Sequence, residues 1–223
     1  MKPNPIFPSI LSTGFFELQH KLQQFGEAGI DFIHLDVMDG HFVDNLSFGP
    51  SAVRAIKARF PFKMDSHLMV SNPEKMIPKF IESGSDWISF HLEASRDVTE
   101  NIATIRQAGK GAGLVLNPDT DPRRVFPFLK AIDYLLLMSV YPGYGGQTFI
   151  PQTLDRVRII KNEIESQQSP CLIQVDGGIN VSIVTQLLSA GADLFVIGTS
   201  LYGAEDIPGT VEGYLRTIEG VTS

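Results

Sequence analysis

Short apolar runs alternate along the chain with longer stretches in which apolar residues recur every three or four positions. Eight runs have the length and composition of strands: 6–11 (IFPSIL), 32–37 (FIHLDV), 63–69 (KMDSHLM), 87–92 (WISFHL), 112–116 (AGLVL), 134–140 (YLLLMSV), 171–175 (CLIQV) and 194–198 (LFVIG). Between them, Phe15, Leu18, Leu22 and Phe25 share a helical face, and Gly29 marks its end. Leu154, Val157, Ile160 and Ile164 form another such face, and Ile183, Leu187 and Ala190 a third. Pro50, Pro73 and Pro122 stand where helices are expected to begin. Strands that alternate with helices predict a parallel sheet with helical crossovers. With 223 residues and no G-x-G-x-x-G after the first strand, the expectation is a closed (β/α)8 TIM barrel rather than an open dinucleotide-binding sheet. No linker or low-complexity segment interrupts the pattern, so a single domain over 1–223 is expected.

The run FIHLDVMDG (32–40) departs from the greasy pattern of its neighbours. Side chains alternate along a strand, so Ile33, Leu35 and Val37 share one face, and Phe32, His34, Asp36 and Met38 the other. In a barrel the all-apolar face meets the helices. The mixed face points inward and, near the C-terminal end of the strand, into the site. Asp65 and His67 repeat this habit in 63–69, and Asp176 follows 171–175. Converging strand ends would gather His34, Asp36, His67 and Asp176. Two imidazoles and two carboxylates suit one divalent ion such as Zn, Fe, Mn or Co. Each residue also has a plainer role open to it: a hydrogen-bonded core histidine, an ion-pair partner, or a turn former before Gly177 and Gly178. His91 is expected to pack or hydrogen-bond, His20 to face solvent, and His41 lies in the loop after the second strand, within reach of substrate.

Glycine clusters follow the last three strands: SVYPGYGGQTFI (139–150), DGGIN (176–180) and IGTSLYG (197–203). Barrels commonly bind phosphate after strands seven and eight, on backbone N–H groups that glycine lets an anion approach. No Lys or Arg lies between Lys161 and Arg216, so a phosphate here would rest on amides and on the Thr199 and Ser200 hydroxyls. A metal, two carboxylates and a phosphate pocket at one barrel mouth point to proton transfer on a ketose phosphate.

Net charge is −7, which disfavours a nucleic-acid or anionic-membrane partner. No apolar stretch approaches the roughly 20 residues of a membrane span, and no signal-like run opens the chain. A lone cysteine, Cys171, flanked by apolar residues, reads as core and fits a reducing, cytoplasmic setting.

PSILS, HLDVMDGHFV, SHLMV, LNPDT, MSVYPGYGGQTFIP and VDGGIN together closely resemble the ribulose-phosphate 3-epimerases, from Pro8 to about Gly203. The resemblance implies a (β/α)8 barrel, a homo-oligomer, and interconversion of ribulose 5-phosphate with xylulose 5-phosphate. It implies one divalent ion on His34, Asp36, His67 and Asp176, with Asp36 and Asp176 also acting as the two acid/bases. Ser9 and His67 would contact substrate, and Met38, Met69 and Met138 would line the pocket, a position equally suited to barrel filler. Gly143, Gly145, Gly146, Gly177, Gly178, Gly198, Thr199 and Ser200 would surround substrate and phosphate. Three positions depart from the family pattern: Tyr141 replaces Asn, Asp44 replaces Pro and Asp119 replaces Gly. Tyr141 begins the loop beside the substrate and bears on substrate identity. The rivals are an allulose-6-phosphate 3-epimerase, a lyase of the phosphate-binding barrels, and a non-catalytic sugar-phosphate binder. The lyases carry D-x-K after strand three, where this chain has Asp65-Ser66-His67.

Overall fold

The computed structural model describes residues 3–222. Its strands are β1 (Ile6–Pro8), β2 (Phe32–Met38), β3 (Lys63–Met69), β4 (Trp87–His91), β5 (Gly111–Leu116), β6 (Tyr134–Met138), β7 (Leu172–Asp176) and β8 (Leu194–Ile197). They pair in parallel in the order β1-β8-β7-β6-β5-β4-β3-β2. A parallel bridge from Ser9 to His34 brings the two ends together, making a (β/α)8 TIM barrel. The main helices are α1 (Leu18–Glu27), α2 (Pro50–Lys57), α3 (Pro73–Ser83), α4 (Val98–Gln107), α5 (Thr153–Gln167) and α6 (Val181–Ala190). A 3₁₀ segment, Pro122–Phe128, replaces the crossover helix between β5 and β6, and α7 (Thr199–Tyr202) and α8 (Ile207–Thr222) follow β8.

Alternation along β2 explains its mixed sequence. Ile33, Leu35 and Val37 pack in one cluster with Leu22 and Phe25 of α1 and Val53 and Ile56 of α2. The opposite face fills the barrel. At its lower end Phe7 and Phe32 stack at 4.8 Å, and Trp87 stacks on Tyr134 at 4.5 Å. Gly111 and Gly113 make this aromatic layer possible. A Cβ on Gly111 would sit 2.4 Å from the Trp87 ring, and one on Gly113 would sit 2.4 Å from the Tyr134 ring.

Several boundaries differ from the sequence expectation. β1 ends at Pro8, because the Ser9 hydroxyl accepts from the Leu11 amide and turns the chain into a 3₁₀ turn, Ile10–Ser12. β7 includes Asp176, whose backbone stays in the ladder opposite Met138. Phe15 does not join the α1 stripe. It lies in a turn ahead of the helix and is 82% exposed, while Leu22 and Phe25 are buried as the spacing predicts. Pro122 opens a 3₁₀ segment rather than an α-helix, and Pro127 within it offers no amide for a longer α-helical ladder. Cys171 is buried and its thiol pKa is pushed up, first by burial, as suits a core residue. No helix of the described residues is long and apolar enough to cross a membrane.

Two glycines provide a test of the packing argument. Gly113→Ala should destabilise by about 1–3 kcal/mol, because the new methyl overpacks a fully buried ring. Gly213→Ala, in α8 with nothing within 4 Å of its added Cβ, should stabilise by about 0.5–1 kcal/mol. Urea unfolding of both variants measures the contrast, and equal stabilities would show that the Tyr134 ring moves aside freely.

Candidate active site and metal centre

The β2–β3 register pairs Asp36 with His67, and β7 delivers Asp176 across the barrel. One ligating atom from each of His34, Asp36, His67 and Asp176 lies within 4.8 Å of the others. His34 Nε2 is 3.3 Å from Asp36 Oδ1 and 4.0 Å from Asp176 Oδ2. His67 Nδ1 is 3.1 Å from Asp36 Oδ1 and 3.9 Å from Asp176 Oδ2. Ser9, at the end of β1, donates its hydroxyl to Asp36 Oδ2 at 2.6 Å.

The cluster suits a cation. His34 Nε2 is buried and makes no hydrogen bond among the described residues, although it points at two carboxylates. Burial disfavours a charged His34, yet Asp36 and Asp65 outweigh it and raise its pKa well above the ordinary value. Positive charge is therefore favoured at this spot. The donor set, two imidazole nitrogens and two carboxylate oxygens, is one that Zn²⁺, Fe²⁺, Mn²⁺ and Co²⁺ accept.

The two carboxylates facing the barrel mouth differ in acidity. Burial opposes ionisation of Asp36, but His34 and His67 outweigh it and hold its carboxyl far below the usual range. Asp176 moves the other way, raised first by burial and then by the negative charge of Asp36. Burial lowers His67 to about 4, so its imidazole is neutral at neutral pH.

A polar layer lies beneath the cluster. Asp65 Oδ2 accepts from His34 Nδ1 at 2.8 Å and from the Gln174 amide at 3.0 Å, and Asp65 Oδ1 accepts from the Tyr134 hydroxyl at 2.7 Å. With Nδ1–H committed to Asp65, Nε2 is the nitrogen that His34 turns toward Asp36 and Asp176. Alternation along β3 puts Asp65 on the His67 face but assigns it no role. Its signal is its register opposite His34, which becomes visible once the strands are paired. Tyr134 and Gln174 read in sequence as ordinary strand residues. His91 hydrogen-bonds as expected, with its Nε2 2.9 Å from His67 Nε2.

Above the cluster opens a cavity of about 310 Å³. Its wall includes Ser9, Asp36, Asp176, Met38, Met69 and Met138, together with Gly143, Gly145, Gly146, Gly177, Gly178, Gly198, Thr199 and Ser200. His34 and His67 lie beneath that wall, fully buried. Gly178, at φ +64°, lets the β7 loop lie against the Phe149 backbone, where a Cβ would come within 2.4 Å of its nitrogen. The Ser200 hydroxyl is already engaged, donating to Ile179 O and meeting the Tyr214 hydroxyl at 2.9 Å. His20 is exposed, and His41, bonded to Asp39, does not line the cavity.

Tyr141, Asp119 and Asp44 come together around one side of the mouth. The Tyr141 hydroxyl donates to Asp119 Oδ1 at 2.9 Å, and the neighbouring Tyr144 hydroxyl donates to Asp44 O at 2.8 Å. Both tyrosines border the site cavity and another cavity, of about 610 Å³, outside it. The loop after β6 is thus tied to the loops after β2 and β5.

A sequence profile of the ribulose-phosphate 3 epimerase family matches residues 5–202. The chain belongs to this family. It is 40% identical over 200 residues to a ribulose-phosphate 3-epimerase of Aquifex aeolicus, covering 90% of each chain. It is 42% identical over 215 residues to ribulose-phosphate 3-epimerase 2 of Cupriavidus necator, covering 95% of this chain and 89% of the relative. Among solved structures, 3-hexulose-6-phosphate synthase from Salmonella typhimurium superposes with a TM-score of 0.69 at 16% identity, covering 97% and 99% of the two chains. Orotidine 5'-phosphate decarboxylase from Pyrococcus horikoshii superposes with a TM-score of 0.67 at 14% identity, covering 96% and 99%. At these identities the barrel fold is what is shared.

Asp65→Ala removes the acceptor of three buried donors at once. It should cost about 3–5 kcal/mol, the size expected when one partner of a buried charged pair is deleted. Asp65→Asn keeps the shape and should cost less. Denaturant unfolding checks both, and a loss under about 1 kcal/mol for the alanine variant would show that the layer relaxes without Asp65.

Proposed function

We propose that the protein interconverts D-ribulose 5-phosphate and D-xylulose 5-phosphate by proton transfer at carbon 3, with Asp36 and Asp176 as the two acid/bases. The observation that carries this reading is the placement of those carboxylates. Both line one cavity, and they are carried by separate strands, Asp36 by β2 and Asp176 by β7. Inversion needs such a pair, one group to take a proton from one face and another to supply one to the opposite face. The relatives are named for the same reaction class.

The remaining roles follow from position. His34, Asp36, His67 and Asp176 would hold one divalent ion. Lewis-acid stabilisation of the developing oxyanion is the chemistry such an ion supplies when bound. Ser9 holds Asp36 by a hydrogen bond and so orients the base. Met38, Met69 and Met138 give an apolar wall that excludes water beside the planar enediolate. The loops after β6, β7 and β8, with Gly143, Gly145, Gly146, Gly177, Gly178, Gly198, Thr199 and Ser200, would receive the phosphate on backbone amides. The pentulose reading is preferred to allulose 6-phosphate because the relatives carry the pentulose name.

Turnover tests the substrate. Ribulose 5-phosphate should be processed with kcat/KM at least tenfold above that for allulose 6-phosphate. Chelation should abolish activity, and about one equivalent of Zn²⁺, Mn²⁺ or Co²⁺ per chain should restore it. The reverse preference would make this a hexulose-phosphate enzyme, and full activity in metal-free protein would remove the ion from the reaction.

Deuterated water tests the two bases. The wild-type protein should place solvent deuterium at carbon 3 of its product. Asp176→Asn and Asp36→Asn, each verified to retain metal, should lose epimerisation by about 10³-fold or more, and each should exchange the carbon-3 hydrogen of at most one epimer. Near wild-type epimerisation by metal-loaded Asp176→Asn would remove Asp176 from the acid/base pair.

A further inference from the structure

We propose that Glu93, acting through His91, fixes which nitrogen of His67 carries its proton and so keeps His67 Nδ1 bare for the cation. The inference rests on the metal reading above and extends it to two residues behind the ligands.

His67 Nε2 and His91 Nε2 face each other at 2.9 Å, both rings fully buried. Two N–H groups cannot point at each other across that gap, and two lone pairs would leave two buried acceptors unmatched. One proton therefore occupies it. The question is which ring owns it.

Glu93 answers from the far side. Its Oε2 lies 3.5 Å from His91 Nδ1, and neither atom makes a hydrogen bond among the described residues. Its Oε1 accepts from the Asn117 amide at 2.9 Å and from the Thr120 hydroxyl. Together with His91, these contacts hold the carboxyl down to about 2 against the effect of burial, so Glu93 is an acceptor only. The charge of Glu93 favours Nδ1–H on the facing side of His91, which leaves its Nε2 as an acceptor. His67 fills the gap with Nε2–H, and its lone pair falls on Nδ1, the atom facing Asp36 and Asp176. The opposite assignment donates Nδ1–H of His67 to Asp36 Oδ1 at 3.1 Å, but it puts a proton on the ligand atom and sets a bare His91 nitrogen against a carboxylate; a cation that takes the place of that proton needs the assignment Glu93 favours. Asp65 performs the same service directly for His34. Both imidazoles are thus set by a carboxylate behind them, one by contact and one through a relay.

Glu93→Gln separates this role from simple support. The glutamine keeps an oxygen for Asn117 and Thr120, but its amide nitrogen can donate to His91 Nδ1 and invert the relay. Affinity for Zn²⁺ or Co²⁺, measured by chelator competition, should fall about 10–100-fold. Thr120→Val, which removes only the loop contact, should bind within about twofold of wild type. Long-range ¹H–¹⁵N spectra of histidine-labelled protein should place the His91 proton on Nδ1 in wild type and on Nε2 in Glu93→Gln.

The wild-type spectrum decides the matter even if the variant folds poorly: a His91 proton on Nε2 there overturns the proposal. Equal metal affinity in folded wild type and Glu93→Gln overturns the relay alone. Wild-type protein that takes up no divalent ion overturns the metal reading, and the relay with it.

Discussion

The interior of this barrel depends on pairing charge that cannot reach water. His34, Asp65 and His67 are fully buried and Asp36 nearly so, in a protein whose outer strand faces are largely apolar. An isolated charge at such a depth costs several kcal/mol. Here each imidazole lies against a carboxylate and each carboxylate against further donors, so the cost is met within the cluster. Parallel register supplies the pairing: it sets His34 beside Asp65 and Asp36 beside His67 on adjacent strands.

That arrangement needs a firm floor. Phe7, Phe32, Trp87 and Tyr134 stack beneath it, and Gly111 and Gly113 leave the room those rings occupy. Tyr134 belongs to both layers, with its ring in the stack and its hydroxyl on Asp65. Apolar packing therefore positions the polar centre directly. Higher up, buried Arg156 of α5 donates to Met138 O, Asn117 O and Thr120 O, joining the end of β6 to the loop after β5. Glu93 holds that same loop from the β4 side. The mouth is framed by hydrogen bonds among loops as well as by the strands below.

The mouth of the barrel is closed on one side by a contact between two loops. Tyr141, in the loop after β6, and Asp119, in the loop after β5, bond to each other. A lone tyrosine at 141 would be an exposed ring on a glycine-rich loop. Paired with Asp119, it ties that loop to its neighbour and gives the substrate entrance a defined edge.

Much of this is legible in the amino-acid order. Period-two alternation in FIHLDVM and period-three-to-four spacing in the helices depend on local geometry alone, so strands, helices and the inward direction of His34 and Asp36 can be read without coordinates. The four candidate ligands stand out because they cluster at strand ends, which a barrel must converge. Phe15 is misplaced by periodicity, since whether a helix extends one more turn depends on competing turn contacts. Asp65, Glu93, Tyr134, Gln174 and Arg156 are silent for a different reason. Their roles exist only between strands and loops far apart in the chain: Gln174 meets Asp65 across 109 residues. Sequence periodicity reports which way a side chain points, but what it meets there is decided by strand register and loop packing, which exist only when the barrel closes.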